Sequence, residues 1–129
     1  MDAIDTNLIV RILTGDHPEQ SAKARAFVEA NRVWVSTTVL LETEWVLRSA
    51  YKLPKPNVIA SLTDFVGLPT VTLQEPERVA MALDWSAKGM DFADALHLAA
   101  AQSVDSFVTF DQRLVSAAQT AGAGAVRLV

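Results

Sequence analysis

The chain opens with MDAIDTNLIVRILTG (residues 1–15), a stretch in which an apolar run ends at Asp5 and an amphipathic segment follows. The run Met1–Asp5 is typical of a buried strand. In the segment Thr6–Thr14, apolar residues recur at helical spacing until Gly15, a residue type that commonly ends helices. The opening stretch therefore predicts a strand, an aspartate at the carboxyl end of that strand, and a helix.

The same alternation continues along the chain, interrupted at Lys52–Pro56, where two prolines in three residues cannot continue a helix. Strands separated by helices of about ten to fifteen residues imply parallel crossover connections. We therefore predict an α/β fold, a three-layer α/β/α sandwich with a mainly parallel central sheet, in one domain over residues 1–129. The further predicted strands are Val33–Ser36, Thr70–Leu73, Ser106–Phe110 and Ala125–Val129, and the further helices end near Ala30, Tyr51, Val66, Lys88, Ser103 and Ala121.

Two of these helices have recognisable capping signals. The segment Asp16–Glu19 has the form of a capping box with a proline near the first turn. Thr37 or Thr38 is positioned to cap the helix that ends near Tyr51.

Composition restricts the class of protein. Of 129 residues, half are apolar and a fifth are charged, which is ordinary for a globular domain. The absence of cysteine excludes disulfides and thiolate metal sites. No stretch approaches the roughly 20 apolar residues of a membrane span, and the N-terminus lacks a secretory pattern, so we expect a cytoplasmic protein. The net charge of −4 argues against nonspecific coating of nucleic acid but does not exclude a nuclease.

Four carboxylates occupy matched places in this pattern. Asp5 and Asp111 each close an apolar run, whereas Glu42 and Asp94 lie one or two turns into mostly apolar helices. In an alternating fold these places converge where strands end and helices begin. Two carboxylates about 5 Å apart repel by about 3 kcal/mol at an effective dielectric near 20, so the group needs a cation or must retain protons. We interpret it as a metal site.

Helix capping is the alternative explanation for three aspartates. Asp5 and Asp111 each precede a predicted helix, and Asp91 precedes Phe92 at another helix start. Aspartate is a favoured N-cap residue, so each position, taken alone, is explained without any ligand.

The third predicted helix contains two glutamates, which the helical wheel separates. Glu44, Arg48 and Lys52 recur at i, i+4 spacing and predict a solvated, salt-paired stripe. Glu42 lies about 160° from Glu44 and beside Val46, at the edge of the apolar face. We therefore expect Glu42 to face the sheet or a cleft, where an acid needs a partner, and Glu44 to face solvent.

Asp94 lies in the first turn of a helix that is apolar on nearly every side. The helix dipole stabilises an acid there by about 0.3–1 kcal/mol, which is too little to compensate for burial in a dry site. Asp94 is therefore a second acid that capping does not explain.

Together these segments resemble the PIN domain, a family of metal-dependent ribonucleases, and are most similar to the VapC toxins of bacterial type II toxin–antitoxin systems. The resemblance covers essentially the whole chain. The segments that carry it are IDTN (residues 4–7), VLLETEWVLR (39–48), DFADALH (91–97) and VTFD (108–111).

The resemblance implies roles for individual residues. Asp5, Glu42, Asp94 and Asp111 match an acidic quartet that holds one or two Mg²⁺ or Mn²⁺ ions. Asn7 and Thr109 match polar residues that orient those carboxylates, and Thr6 is a further supporting position. The family pattern is best satisfied by Asp94, yet Asp91 could share the same face one turn earlier; we assign Asp91 a supporting or capping role.

The resemblance also implies an activity and partners. The reaction would be hydrolysis of an RNA phosphodiester by water, leaving 5′-phosphate and 3′-hydroxyl ends. A VapB-like antitoxin would occupy the acidic groove with its C-terminal arm, and the chain would form a homodimer, and a heterotetramer or larger assembly with the antitoxin. Candidate phosphate contacts, each equally explicable as a solubilising surface charge, are Arg11, Arg48, Lys52, Lys55 and Arg113.

Three other interpretations remain open. A phosphatase of the haloacid dehalogenase type also begins with a strand ending in aspartate, but requires a second acid where this chain has Asn7. A response-regulator receiver requires paired acids near the N-terminus and a lysine at a late strand end, where this chain has Asp111. A catalytically silent PIN scaffold would bind RNA or a partner protein without cleaving.

Overall fold

The computed structural model describes residues 1–129 and divides them into two compact units, Met1–Pro76 and Glu77–Val129. Both units consist of helices and parallel strands, which confirms the predicted α/β class. The single domain over residues 1–129 stays a prediction.

The first unit has a three-stranded parallel sheet in the order β1-β2-β3. Helix α1 packs against α2 and α3, and α3 also packs against α4. Because the strands are parallel, their carboxyl ends lie at one edge of the sheet. The elements are β1 (Asp2–Ala3), α1 (Thr6–Thr14), α2 (Pro18–Ala30), β2 (Val33–Val35), α3 (Thr37–Ser49), α4 (Lys55–Val66) and β3 (Val71–Leu73).

The second unit begins in the first turn of α5 and contains a parallel pair of strands joined by a helical crossover. Thr109 is in register with Leu128, and α7 packs against both strands. The elements are α5 (Pro76–Ala87), α6 (Phe92–Ala100), β4 (Phe107–Thr109), α7 (Gln112–Ala121) and β5 (Val126–Leu128).

The hydrophobic core of each unit consists of fully enclosed aliphatic and aromatic side chains. In the first unit they include Ile9, Val33, Val35, Leu40, Leu47, Val58 and Leu62, and in the second Val79, Met90, Phe92 and Leu98. None of the helices is both long and apolar enough to cross a lipid bilayer.

Helix α4 begins two residues earlier than the proline pair in the sequence predicted. Pro54 is the N-cap residue and Pro56 lies in the first turn, so the helix begins at Lys55 rather than at Asn57. Proline is tolerated there because the first N–H groups of a helix have no intrahelical acceptor.

The caps predicted for α2 and α3 are both wrong. Asp16 does not cap α2: its carboxylate accepts hydrogen bonds from the hydroxyls of Tyr51 and Thr14, each at 2.7 Å. The N-cap residue of α2 is His17, which makes no side-chain cap bond. Helix α3 is capped by Ser36, whose Oγ accepts from the backbone N–H of Val39 at 3.2 Å.

Candidate active site

Asp5 lies just beyond β1 and is the N-cap of α1. Its Oδ1 accepts a hydrogen bond from the backbone N–H of Leu8 at 3.2 Å, and its Oδ2 accepts none from the protein. The carboxylate is exposed. Capping therefore fixes the side chain while one oxygen remains available to a ligand.

Glu42 lies in the second turn of α3 and is tied to the start of α1. The buried Thr6 donates its hydroxyl to Oε1 of Glu42 at 2.5 Å. This hydrogen bond connects Glu42 to the residue that immediately follows Asp5 in the chain. Within the first unit, two of the four predicted acids are thus connected through Thr6.

Asn7, predicted to orient the carboxylates, points elsewhere in this unit. Its side chain is exposed and makes no hydrogen bond. With Leu8 and Phe27 it lines a mainly apolar cleft of about 360 Å³ between α1 and α2.

The predicted faces of Glu42 and Glu44 are wrong. Glu44 is the buried glutamate, with 1% of its surface exposed, whereas Glu42 is on the exposed side of α3. Arg48, one turn later, satisfies the buried carboxylate: its Nε donates to Oε1 at 2.8 Å and its Nη2 to Oε2 at 3.4 Å. A charged pair at i, i+4 spacing can therefore join a buried carboxylate to a partly exposed guanidinium, as well as form a solvated stripe.

The predicted apolar face beside Glu42 included Val46, but Val46 is only half-buried. Trp45, a large apolar ring 60° from Glu42 on the same side of the helix, is not part of the core either. In the structure 57% of Trp45 is exposed, and the buried positions are Leu40, Thr43, Glu44 and Leu47.

In the second unit, Asp91 is the N-cap of α6 and Asp94 lies in the first turn of that helix. Oδ2 of Asp91 accepts a hydrogen bond from the backbone N–H of Asp94 at 3.1 Å. The capping role of Asp91 is therefore confirmed, and Asp94 is half-buried beside it.

Asp111 follows β4 and is the N-cap of α7. Its Oδ1 accepts from the backbone N–H groups of Arg113 at 2.9 Å and Leu114 at 3.2 Å, while Oδ2 accepts no hydrogen bond. The N–H of Asp111 itself donates to Oγ1 of Thr109 at 3.0 Å. Thr109 thus acts on the backbone of this acid, and again one carboxylate oxygen remains available.

A further acid at the sheet edge of the first unit was missed by the sequence analysis. Thr37, at the start of α3, donates its N–H to Oε1 of Gln74 at 3.1 Å and its hydroxyl to Oε1 of Glu75 at 3.2 Å. Gln74 and Glu75 follow β3 directly. The signal that selects Asp5 and Asp111, an acid just after a strand, also selects Glu75.

The candidate phosphate contacts differ in how firmly the protein holds them. Arg11 donates to Gln20 at 2.8 Å and to the hydroxyl of Tyr51 at 3.3 Å, and it pairs with Asp16 at 3.5 Å. Arg113 is exposed and its guanidinium has no partner in the protein. Arg48 is held by Glu44, as described above.

Asp16 is the negatively charged residue in the group formed by Arg11, Tyr51 and Thr14. The hydrogen bond from Tyr51, then that from Thr14, and the positive charge of Arg11 hold the pKa of Asp16 below its ordinary value. Arg11 is therefore engaged in an internal network rather than presented freely to solvent.

The parallel α/β units place acidic side chains where strands end and helices begin, an arrangement suited to presenting oxygen ligands from a nuclease-type fold. A family model, the PIN domain, matches residues 3–119, so the chain belongs to the PIN domain family. PIN domains are generally metal-dependent nucleases. A comparison with curated proteins gives no match. Neither unit by itself gathers three acidic or histidine side chains in a metal-binding group.

The capping geometry predicts which substitutions preserve folding. Asparagine caps a helix about as well as aspartate, whereas alanine cannot accept the N–H bonds. We expect Asp111→Asn to be more stable than Asp111→Ala by about 1 kcal/mol in urea denaturation followed by circular dichroism. Equal stability of these two uncharged variants would contradict the cap at Asp111.

The Asp16 network predicts a dependence of stability on pH. Because the folded-state pKa is below the unfolded one, the stabilisation is present above pH 3.8 and is lost as the pH falls through the folded-state pKa. Tyr51→Phe should lower the unfolding temperature at neutral pH, and its difference from wild type should shrink as the pH falls below 3.8. In an Asp16→Asn background, the pH-dependent part of this difference should vanish; its persistence there would assign the effect to other groups.

Proposed function

We propose that the chain is a metal-dependent endoribonuclease that hydrolyses RNA phosphodiester bonds with Asp5, Glu42, Asp94 and Asp111. The observation that carries the proposal is the PIN match over residues 3–119, which contains all four acids. Each of them lies at a strand end or within the first two turns of a helix.

The donor set of these residues fits a hard divalent cation. The four side chains offer only carboxylate oxygens, and the chain has no cysteine. Mg²⁺ prefers oxygen ligands and keeps several waters on one or two direct carboxylates. The Oδ2 atoms of Asp5 and Asp111, which accept no hydrogen bond from the protein, are suitable donors. Mg²⁺ or Mn²⁺ is accordingly the proposed cofactor.

The protein's contribution is to hold these oxygens in fixed positions. The backbone N–H groups at the starts of α1 and α7 fix Asp5 and Asp111, and Thr6 fixes Glu42. Ligands that are already ordered lose less conformational entropy when they bind. A bound divalent cation supplies a nucleophilic water near neutral pH and stabilises the charge that develops on the phosphoryl oxygens.

The resemblance to VapC supports a more specific role, that of the toxin of a cytoplasmic toxin–antitoxin pair. In this proposal the chain is one domain, forms a homodimer, and is inhibited by a VapB-like antitoxin. The apolar cleft beside Asn7 and the exposed ring of Trp45 offer such partners apolar surface. Of the candidate phosphate contacts, Arg113 and Lys52 are exposed and have unpaired side chains.

Cleavage of structured RNA by the purified chain tests the activity. We expect cleavage with Mg²⁺ or Mn²⁺, none with EDTA, and a loss of activity in Asp94→Asn. Asp84→Asn is the matched control, since Asp84 is an exposed acid on α5 paired only with Lys88. Undiminished cleavage by Asp94→Asn would contradict the acidic site. Phosphate release from a small phosphorylated substrate without RNA cleavage would favour a phosphatase, and RNA binding without cleavage a silent scaffold.

Thr6 should act as a positioning residue for Glu42. Thr6→Val keeps the shape of the buried side chain but removes the hydroxyl, so we expect cleavage to fall by about 10–100-fold with a higher Mg²⁺ requirement. Thr6→Ser restores the hydroxyl and should recover most of the activity. Loss of activity in both variants, with no change in the Mg²⁺ titration, would indicate a packing role instead.

Expression in bacteria tests the toxin role. Induction of the chain alone should arrest growth, and co-expression of the neighbouring antitoxin gene should relieve the arrest. Asp94→Asn should grow normally at equal protein level. Arrest that persists in Asp94→Asn would show that toxicity does not arise from RNA cleavage.

A further inference from the structure

Phe110 presents an almost completely exposed ring. It is 88% exposed, more than any other large apolar side chain of the chain, and it lies between the end of β4 and Asp111. A phenyl ring in water forfeits the hydrophobic stabilisation that burial would give it. Packing of the folded chain therefore does not account for this residue.

The backbone on both sides of Phe110 is held firmly. The carbonyl of Thr109 accepts from the N–H of Val129 at 3.1 Å, and the N–H of Asp111 donates to Oγ1 of Thr109 at 3.0 Å. Asp111 is fixed in turn as the cap of α7. With its Cα held, the ring retains only two side-chain torsions, so it can form a contact at small cost in entropy.

The residues that follow Phe110 in the sequence suit a nucleic acid. Asp111 is a proposed ligand of the cation that acts on the phosphodiester, and Arg113 is exposed with an unpaired guanidinium. Single-stranded nucleic acids are bound by this combination, in which a base stacks on an aromatic ring and a basic side chain contacts the backbone.

We propose that Phe110 stacks on an unpaired nucleobase of RNA beside the phosphodiester that is cleaved, with Arg113 at a neighbouring phosphate. The inference rests on the proposed ribonuclease activity and narrows its substrate class. A base inside a duplex has both faces covered, so the ring selects RNA with an unpaired nucleotide at this position. Because every base has a π-face, stacking of this kind tolerates many sequences.

A protein partner would use a wider surface than a base does. Val108, 44% exposed, and Val129 also present apolar surface at the β4–β5 pair. A second copy of the chain would cover them together with Phe110. Val108, in β4, lies two residues, about 6–7 Å, before Phe110, and is farther from Asp111 in the sequence. Val108→Ala therefore serves as the matched control for Phe110→Ala.

Binding is measured by fluorescence anisotropy with full-length chain in an Asp94→Asn background, so that RNA is not consumed. The first probe is a fluorescein-labelled oligouridylate of about 12 nucleotides. The others are oligonucleotides of the same length, each with a single abasic nucleotide at a different position. We expect Phe110→Ala to weaken binding about fivefold or more, Phe110→Trp to retain affinity, and Val108→Ala to change little. One abasic position should weaken binding to the Phe110 protein but not to Phe110→Ala.

The outcomes separate this inference from the proposed function. Equal RNA affinity of Phe110→Ala and its parent, while the unsubstituted chain still cleaves RNA, would overturn the stacking role alone. Failure of the unsubstituted chain to cleave or bind RNA would overturn the proposed function and the inference with it. Dissociation of an oligomer in sedimentation velocity by both Phe110→Ala and Val108→Ala would assign the ring to a subunit interface and overturn the inference.

Discussion

Helix capping by aspartate is the interaction on which the geometry of the candidate site residues depends. Asp5, Asp91 and Asp111 each use one carboxylate oxygen to accept backbone N–H groups at the start of a helix. Those first N–H groups have no intrahelical acceptor, so the cap is needed for the helix itself. The same bond orients the carboxylate and, at Asp5 and Asp111, leaves the second oxygen without a partner in the protein. A structural cap and a metal ligand are therefore compatible roles for one residue.

Local signals predicted most of the fold. Helices α1 and α7 have the predicted bounds because an aspartate begins each and a glycine ends each, with Gly15 at φ 64° and Gly122 at φ 66°. These left-handed conformations are accessible to glycine without steric cost. Helix α6 has no such stop signal, and it ends at Ala100 rather than at the predicted Ser103.

The candidate site was harder to predict wherever residues distant in the sequence determine the contacts or the burial of a side chain. Asp16 fits a capping box locally, but a hydroxyl 35 residues away, on Tyr51, binds its carboxylate instead. On α3, Trp45 is exposed although tryptophan is a typical core residue, and Glu44 is buried although glutamate is a typical surface residue. Their burial is set by the helices that pack around α3. The contact between Thr6 and Glu42, at a separation of 36, could not be read from either segment alone.

Binding of Mn²⁺ to the full-length chain, followed by the electron paramagnetic resonance signal of the free ion, tests the central claim most directly. It does not depend on knowing the RNA. Asp5→Asn, Glu42→Gln, Asp94→Asn and Asp111→Asn should each weaken Mn²⁺ binding about tenfold or more, while the control Asp84→Asn leaves it unchanged. An affinity that none of the four substitutions alters, or that Asp84→Asn lowers equally, would contradict a cation site formed by these acids.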